Sequence, residues 1–182
     1  MTRALLIVDI QNDYFPGGRM GLEGSEAAGR RAGQLLAAFR ERKQAVIHVQ
    51  HISLRPGSTF FLPDTDGVAI HPSVTPAAHE TVITKHFPNS FRETQLLARL
   101  RELDVKELVI AGMMTHMCID ATTRAAADAG FTCSLAHDAC ATRSVSFGGT
   151  TVPAEHVNAS FLAALNGTYA AVRPVSELVA AP

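Results

Sequence analysis

Apolar residues in this chain fall into two kinds of run, and the two alternate. Short, uninterrupted, β-branched runs such as Leu5-Leu6-Ile7-Val8 and Leu108-Val109-Ile110-Ala111 read as strands buried on both faces. Longer stretches place apolar side chains at helical spacing, as with Ala28, Leu35, Leu36 and Phe39, or Leu96, Leu97, Leu100 and Leu103. The pattern predicts strands over 4–10, 45–50, 81–85, 107–112 and 131–136, with a sixth near 169–172. Helices are predicted over 25–42, 92–103, 116–129 and 153–165. Gly130 suits the position just past the third helix, and Pro153 suits the first turn of the fourth. Strands alternating with helices predict an α/β fold, a three-layer α/β/α sandwich around a doubly wound, mostly parallel sheet of six strands. No repeat, low-complexity tract or linker divides the chain, so a single domain over 1–182 is expected.

One segment breaks the alternation. Residues 51–79, rich in Pro, Gly, Thr and Asp, carry no strong pattern, and a loop of this length in a compact domain is usually functional. It reads as a substrate lid or a subunit-contact arm. Phe60 and Phe61 within it suit either a pocket wall or core packing.

Three strands end in chemistry. Asp9 terminates the first apolar run, Lys85 the third, and Cys118 follows the fourth through Met113-Met114-Thr115-His116-Met117. Each has a plain structural reading: Asp9 as a loop cap, Lys85 as a surface lysine, Cys118 as a small buried hydrophobe. A cysteine at a helix start also meets the positive end of the helix dipole, which predicts a lowered pKa and a reactive thiolate. Strand carboxyl ends line the ligand crevice of open α/β sheets. Three chemically competent residues at that one end favour a shared site.

The residues around these three resemble a known family. Val-Asp-Ile-Gln-Asn-Asp-Tyr-Phe around Asp9, Thr-Lys-His-Phe-Pro-Asn-Ser-Phe around Lys85 and Gly-Met-Met-Thr-His-Met-Cys-Ile before and at Cys118 are similar, in that order, to the motifs of isochorismatase-like cysteine hydrolases. The likeness continues through Ala125–Asp128 and Asp138–Thr142 and covers most of the chain. It implies strand order 3-2-1-4-5-6 and a catalytic triad of Asp9, Lys85 and Cys118. It also implies an oxyanion hole of the Met114 and Cys118 backbone N–H groups, with Met114 presented by a cis Met113–Met114 peptide. The implied reaction is hydrolysis of a C–N bond in a small amide, carbamoyl or ureido substrate through a thioester. Gln11, Tyr14, Phe15 and Phe91, next to the triad motifs, and His116, two residues before Cys118, are expected to bind substrate. A homo-oligomer, dimer or tetramer, is expected from the family's habit.

Other readings stay in view. The family also holds hydrolases that cleave a vinyl ether without the cysteine, and the same fold serves as a ligand-binding module without turnover. A redox role for Cys118 with Cys133 or Cys140 ranks last, because no Cys-x-x-Cys is present. No Gly-x-Gly-x-x-Gly follows the first strand, so a dinucleotide is not expected. Some members hold a metal with an Asp-x-His pair after the second strand; here the place reads His48-Val49-Gln50-His51, and no metal or other cofactor is expected. His48 reads as a satisfied core histidine, and Cys133 and Cys140 as structural thiols.

Composition narrows the setting. Of 182 residues, 47% are hydrophobic and 18% charged, with a net charge of −1, which suits a well-buried globular chain and makes nucleic acid an unsuited partner. The run ending at Asp9 is too short for a signal peptide, and no apolar stretch is long enough to cross a membrane. Three widely spaced cysteines do not form a disulfide framework. The expected setting is cytoplasmic, with a small molecule as the only ligand.

Overall fold

A computed structural model describes residues 2–180. Six strands, β1 (Thr2–Val8), β2 (Ala45–His51), β3 (Thr81–Lys85), β4 (Val105–Met113), β5 (Thr132–Ala141) and β8 (Ala171–Arg173), form one sheet in the order β3-β2-β1-β4-β5-β8. Every pairing in it is parallel. This is the doubly wound topology expected, with β1 and β4 side by side where the winding reverses.

Helices cover both faces, so the central strands have no solvent side. In β1, Leu5 and Ile7 face α1 (Ser25–Glu41) and α5 (Val175–Ala180). Ala4, Leu6 and Val8 face α2 (Leu96–Glu102), α3 (Asp120–Asp128) and α4 (Ala154–Leu165). Alternate residues of one strand thus feed two separate cores, which is why the run reads as continuously apolar. Helix α1 presents Ala28, Ala32, Leu35, Leu36 and Phe39 inward, the last at no exposure.

The switch point depends on one glycine. Gly112 adopts φ 142°, and a Cβ there would stand 1.9 Å from the Val8 carbonyl oxygen. Only a residue without a side chain lets β4 lie this close to β1 just where Asp9 and Met113 leave the sheet.

Several boundaries differ from expectation. Helix α2 begins at Leu96 rather than near 92, because Ser90–Gln95 form turns: Glu93 has φ 55°, and Thr94 donates to the Ser90 carbonyl while accepting from Leu96 N–H. Strand β5 runs on to Ala141 through a register shift against β4 between Ile110 and Gly112. A hairpin, β6 (Val145–Phe147) and β7 (Thr150–Val152), turns through Gly148-Gly149, both at positive φ, a two-glycine hairpin signal that the strand reading passed over. The short α5 was also not expected. Among the described residues, no helix is long and apolar enough to cross a membrane.

The 51–79 segment is ordered by the stretch just after Asp9. It holds two single 3-10 turns, Asp66–Val68 and Pro72–Val74. Asn12 N–H donates to Ala69 O and His71 N–H to Ile10 O, at 3.0 and 2.9 Å. The buried Asp13 carboxylate accepts from Phe61 N–H at 2.6 Å and from Arg19 N–H at 3.1 Å. Gly67 makes room for that carboxylate, since a Cβ there would lie 2.2 Å from Asp13 Oδ1. At the far end, Glu80 accepts from both Arg40 nitrogens at 2.7 Å and contacts His48 Nε2 at 2.9 Å. His48 is therefore a paired core residue, although its Nδ1 has no partner among the described residues.

Candidate active site

Asp9, Lys85 and Cys118 leave the carboxyl ends of β1, β3 and β4 and converge beneath the 51–79 segment. Asp9 and Lys85 are wholly buried and Cys118 is 4% exposed. Asp9 takes φ 54°, a left-handed conformation that a short polar side chain tolerates and a bulky apolar one does not. Its N–H stays bonded to Val49 O at 3.0 Å while the chain turns away from the sheet.

Lys85 Nζ lies 2.7 Å from Asp9 Oδ2. It also donates to the carbonyls of Phe87 and Pro88, each at 3.1 Å, and to His51 Nδ1 at 3.3 Å. The contact with Asp9 is a fully buried ion pair and the shortest that the ammonium makes. Burial alone would lower the Lys85 pKa, but the charges of Asp9 and Cys118 outweigh it and the ammonium is held above its ordinary range.

Cys118 corrects one expectation. It lies not at the start of an α-helix but inside a wide π turn, Thr115–Ile119, that precedes α3. Burial and the neighbouring Asp9 carboxylate raise its pKa, against the opposing pull of Lys85. The direction is opposite to the lowering expected of a cysteine at a helix start. The Met113–Met114 peptide is cis, and Met114 N–H makes no hydrogen bond among the described residues.

The expected substrate contacts divide. Tyr14 is 1% exposed, and burial followed by the charges of Cys118 and Asp9 raises its pKa. Its ring packs on Phe61 at 4.6 Å between centroids and on Phe60 at 5.9 Å. Gln11 is a correction: both its amide donors are used, on His51 O at 2.9 Å and Val68 O at 2.7 Å, and its oxygen accepts from His51 N–H at 2.8 Å. It clamps the end of β2 to the covering segment. Phe15 is another: it stacks on His71, 3.5 Å between centroids, and packs against α1 at Gly29. Phe91 lies near Phe131 at the amino end of β5, away from the site. His116 bonds Thr142 through Nδ1 and meets the edge of Phe161 at 6.0 Å; burial and Arg143 lower its pKa.

His51 is the site residue that sequence reasoning did not single out, having weighed it only as a metal ligand. Its Nδ1 lies 3.9 Å from Asp9 Oδ2. Asp9, His51 and Cys118 each bring one donor atom within 4.8 Å of the others, a set that resembles a metal site. The Lys85 ammonium occupies the position between those donors, so the arrangement already holds its cation and suits a metal ion poorly. Cys133 and Cys140 are buried free thiols pushed up to about 12 by burial.

Comparison with known proteins identifies the family. The Isochorismatase domain family matches residues 3–161. The chain belongs to the isochorismatase family. An uncharacterized isochorismatase family protein of Bacillus subtilis, YddQ, is 54% identical over 173 residues, covering 95% of this chain and 96% of that one. A crystal structure of an isochorismatase-type hydrolase from Oleispira antarctica superposes with a TM-score of 0.96 at 50% identity, over 99% of this chain and 97% of the other. A streptothricin hydrolase of Streptomyces noursei is 36% identical over 141 residues, 78% of this chain but 50% of its own length. The chain is thus an isochorismatase-family hydrolase by descent.

Proposed function

We propose that this isochorismatase-family chain is a cysteine hydrolase that cleaves a C–N bond in a small amide, carbamoyl or ureido substrate. The observation that carries the reading is the convergence of Asp9, Lys85 and Cys118, all buried, at one end of the sheet. A base, a fixed cation and a nucleophile are the parts that acyl transfer to sulfur needs. The hydrolytic relative named above supports the class of reaction and not the substrate.

The resting state pairs a thiol with a carboxylate. As a substrate carbonyl enters, Cys118 Sγ attacks its carbon and the thiol proton passes to Asp9. Lys85 offsets the negative charge carried through this exchange. The oxyanion of the tetrahedral intermediate is received by backbone N–H groups, those of Met114 and Cys118 in this reading. Asp9 then gives its proton to the nitrogen, the C–N bond breaks and the amine leaves. Water, losing a proton to Asp9, attacks the thioester carbon, and the acid departs as the thiol is restored. The deep burial of the three groups supports a small substrate.

Screening small amides, ureides and carbamoyl compounds for ammonia or amine release tests this, with Cys118→Ala as the control. Turnover by the wild type and none by the variant is expected. Equal turnover by both would overturn Cys118 as the nucleophile of C–N cleavage.

A further inference from the structure

Both proposed oxyanion donors belong to one short π turn, with Met114 just before it and Cys118 within it. Such turns are rare and occur frequently at functional sites. Its backbone closes on a single carbonyl: Met114 O accepts from Met117 N–H at 3.1 Å and from Ile119 N–H at 3.2 Å. Side chains tie it to the rest of the fold. Thr115, between the two donors, is wholly buried, and its hydroxyl donates to Asn158 Oδ1 at 2.7 Å, with the Ala141 carbonyl a second acceptor at 3.3 Å. A buried hydroxyl is unfavourable unless it is bonded, so these contacts are what distinguish Thr115 from a valine of similar shape. They join the turn to the last residue of β5 and to the first half of α4, 43 residues further on. His116 makes a parallel tie, with Nδ1 on Thr142 and the ring against Phe161 of α4.

We infer that Asn158 is a positioning residue that, through Thr115, holds the Met114 N–H where the oxyanion forms. This rests on the hydrolase reading above and adds a residue outside both the triad and the oxyanion hole. Asn158 acts through Thr115 and not on the reacting atoms. A shift of about 1 Å in a reacting geometry lowers a rate by about a hundredfold, so loosening this tie acts on the chemical step.

Two reagents separate this role from the packing of α4. With p-nitrophenyl acetate, Cys118 Sγ attacks the ester carbon, the thiol proton passes to Asp9, and the tetrahedral oxyanion collapses to an acetyl thioester as p-nitrophenolate leaves. Iodoacetamide alkylates the same sulfur at a saturated carbon with loss of iodide, and no oxyanion forms. Asn158→Ala and Thr115→Val are expected to slow the p-nitrophenolate burst about tenfold to a hundredfold, with alkylation within about twofold of wild type. Thr115→Ser, which keeps the hydroxyl, restores the burst. Combined, Asn158→Ala and Thr115→Val act no more strongly than either alone, because they remove one link. With any amide that the enzyme turns over, kcat falls by the same factor and KM changes little. Asn158 is half-buried on a helix, so Asn158→Ala decides the matter even where Thr115→Val does not fold. The inference is overturned if the variants acylate normally, if alkylation falls in parallel with acylation, or if Thr115→Ser is as slow as Thr115→Val. A wild-type burst no larger than that of Cys118→Ala overturns the hydrolase reading itself. A full wild-type burst beside normal bursts in the variants removes only the positioning role.

Discussion

Lys85→Met is the sharpest perturbation of the site, because the ammonium serves several partners at once. The variant keeps the length of the stem and removes the charge. It leaves Asp9, wholly buried, without the cation 2.7 Å away, and it leaves the Phe87 and Pro88 carbonyls without a donor at 3.1 Å. Removing one partner of a buried ion pair costs about 3–5 kcal/mol. Each orphaned carbonyl adds about 1 kcal/mol or more where water does not reach it. A loss of about 5 kcal/mol or more is expected, a large share of the roughly 5–15 kcal/mol that a domain has. Adding Asp9→Asn removes the uncompensated charge, so the double variant should be more stable than Lys85→Met alone by about 2 kcal/mol, the coupling expected of residues in contact. Urea unfolding at pH 7 measures all three proteins. In the wild type, Lys85 is held above its ordinary value, so its contribution is fully present below the unfolded lysine pKa of about 10.4 and is lost only as pH rises through the higher folded one. Because Lys85 opposes the upward shift of the Cys118 thiol, Lys85→Met should also slow iodoacetamide labelling. A loss under about 1 kcal/mol with unchanged labelling would refute the buried-countercharge argument, since that is what an exposed lysine gives.

Glu80 is held at about 2: burial pushes it up, but Arg40, Ala77 N–H and His48 push it further down. Its stability contribution is present above the unfolded carboxylate value of about 4.3 and lost as pH falls towards 2, worth about 2 kcal/mol after allowing for the partly exposed Arg40. Glu80→Gln should therefore flatten the pH dependence of urea midpoints between those limits, and an unaltered slope would contradict the pairing. Gly112→Ala puts a Cβ against the Val8 carbonyl at 1.9 Å, where backbone meets backbone; a loss of more than about 4 kcal/mol or failure to fold is expected, and a wild-type melting temperature would show that β1 and β4 can separate. Asp13→Ala should cost about 1–3 kcal/mol and expose residues 54–67 to proteases; unchanged limited proteolysis would mean that the segment is held elsewhere. The dimer or tetramer that we propose from the family resemblance should appear as at least twice the chain mass in light scattering, and monomer alone at micromolar concentration would reject it.

What was legible in the sequence depended on how local its cause was. The β1 and β4 runs announced a doubly covered sheet because both of their faces are apolar. The strand-end positions of Asp9, Lys85 and Cys118 followed from where those runs stop. The errors arose where tertiary partners decide. Gln11 sits in a motif beside the base, yet its amide is claimed by backbone groups of His51 and Val68, some 40 and 57 residues away. Phe15 and Phe91 are near the triad in sequence, but one faces α1 and the other the far end of the sheet. The pKa of Cys118 was misjudged because a helix dipole can be read from sequence, whereas burial beside Asp9 cannot. His51 carried a usable signal, as the last residue of a strand whose neighbours also end in chemistry, but its place beside Lys85 and Asp9 needed the geometry. The β6–β7 turn was readable from Gly148-Gly149.

Residues 9–13 combine two duties on consecutive positions. Asp9 belongs to the reacting centre, while Gln11 and Asp13 fasten the segment above it at Val68 and Phe61. This arrangement separates what evolution can vary from what it cannot. The stretch 54–59 lies outside those fastenings, with Leu54 61% exposed and Gly57 at φ 79°. Lengthening such a stretch costs only about 0.6 kcal/mol per doubling of loop length. New sequence can therefore be spliced in at the rim without moving the base, the lysine or the thiol. A lineage of enzymes with one chemistry and many substrates is the outcome such a division permits, and grafting of 54–59 between relatives is the engineering route it opens.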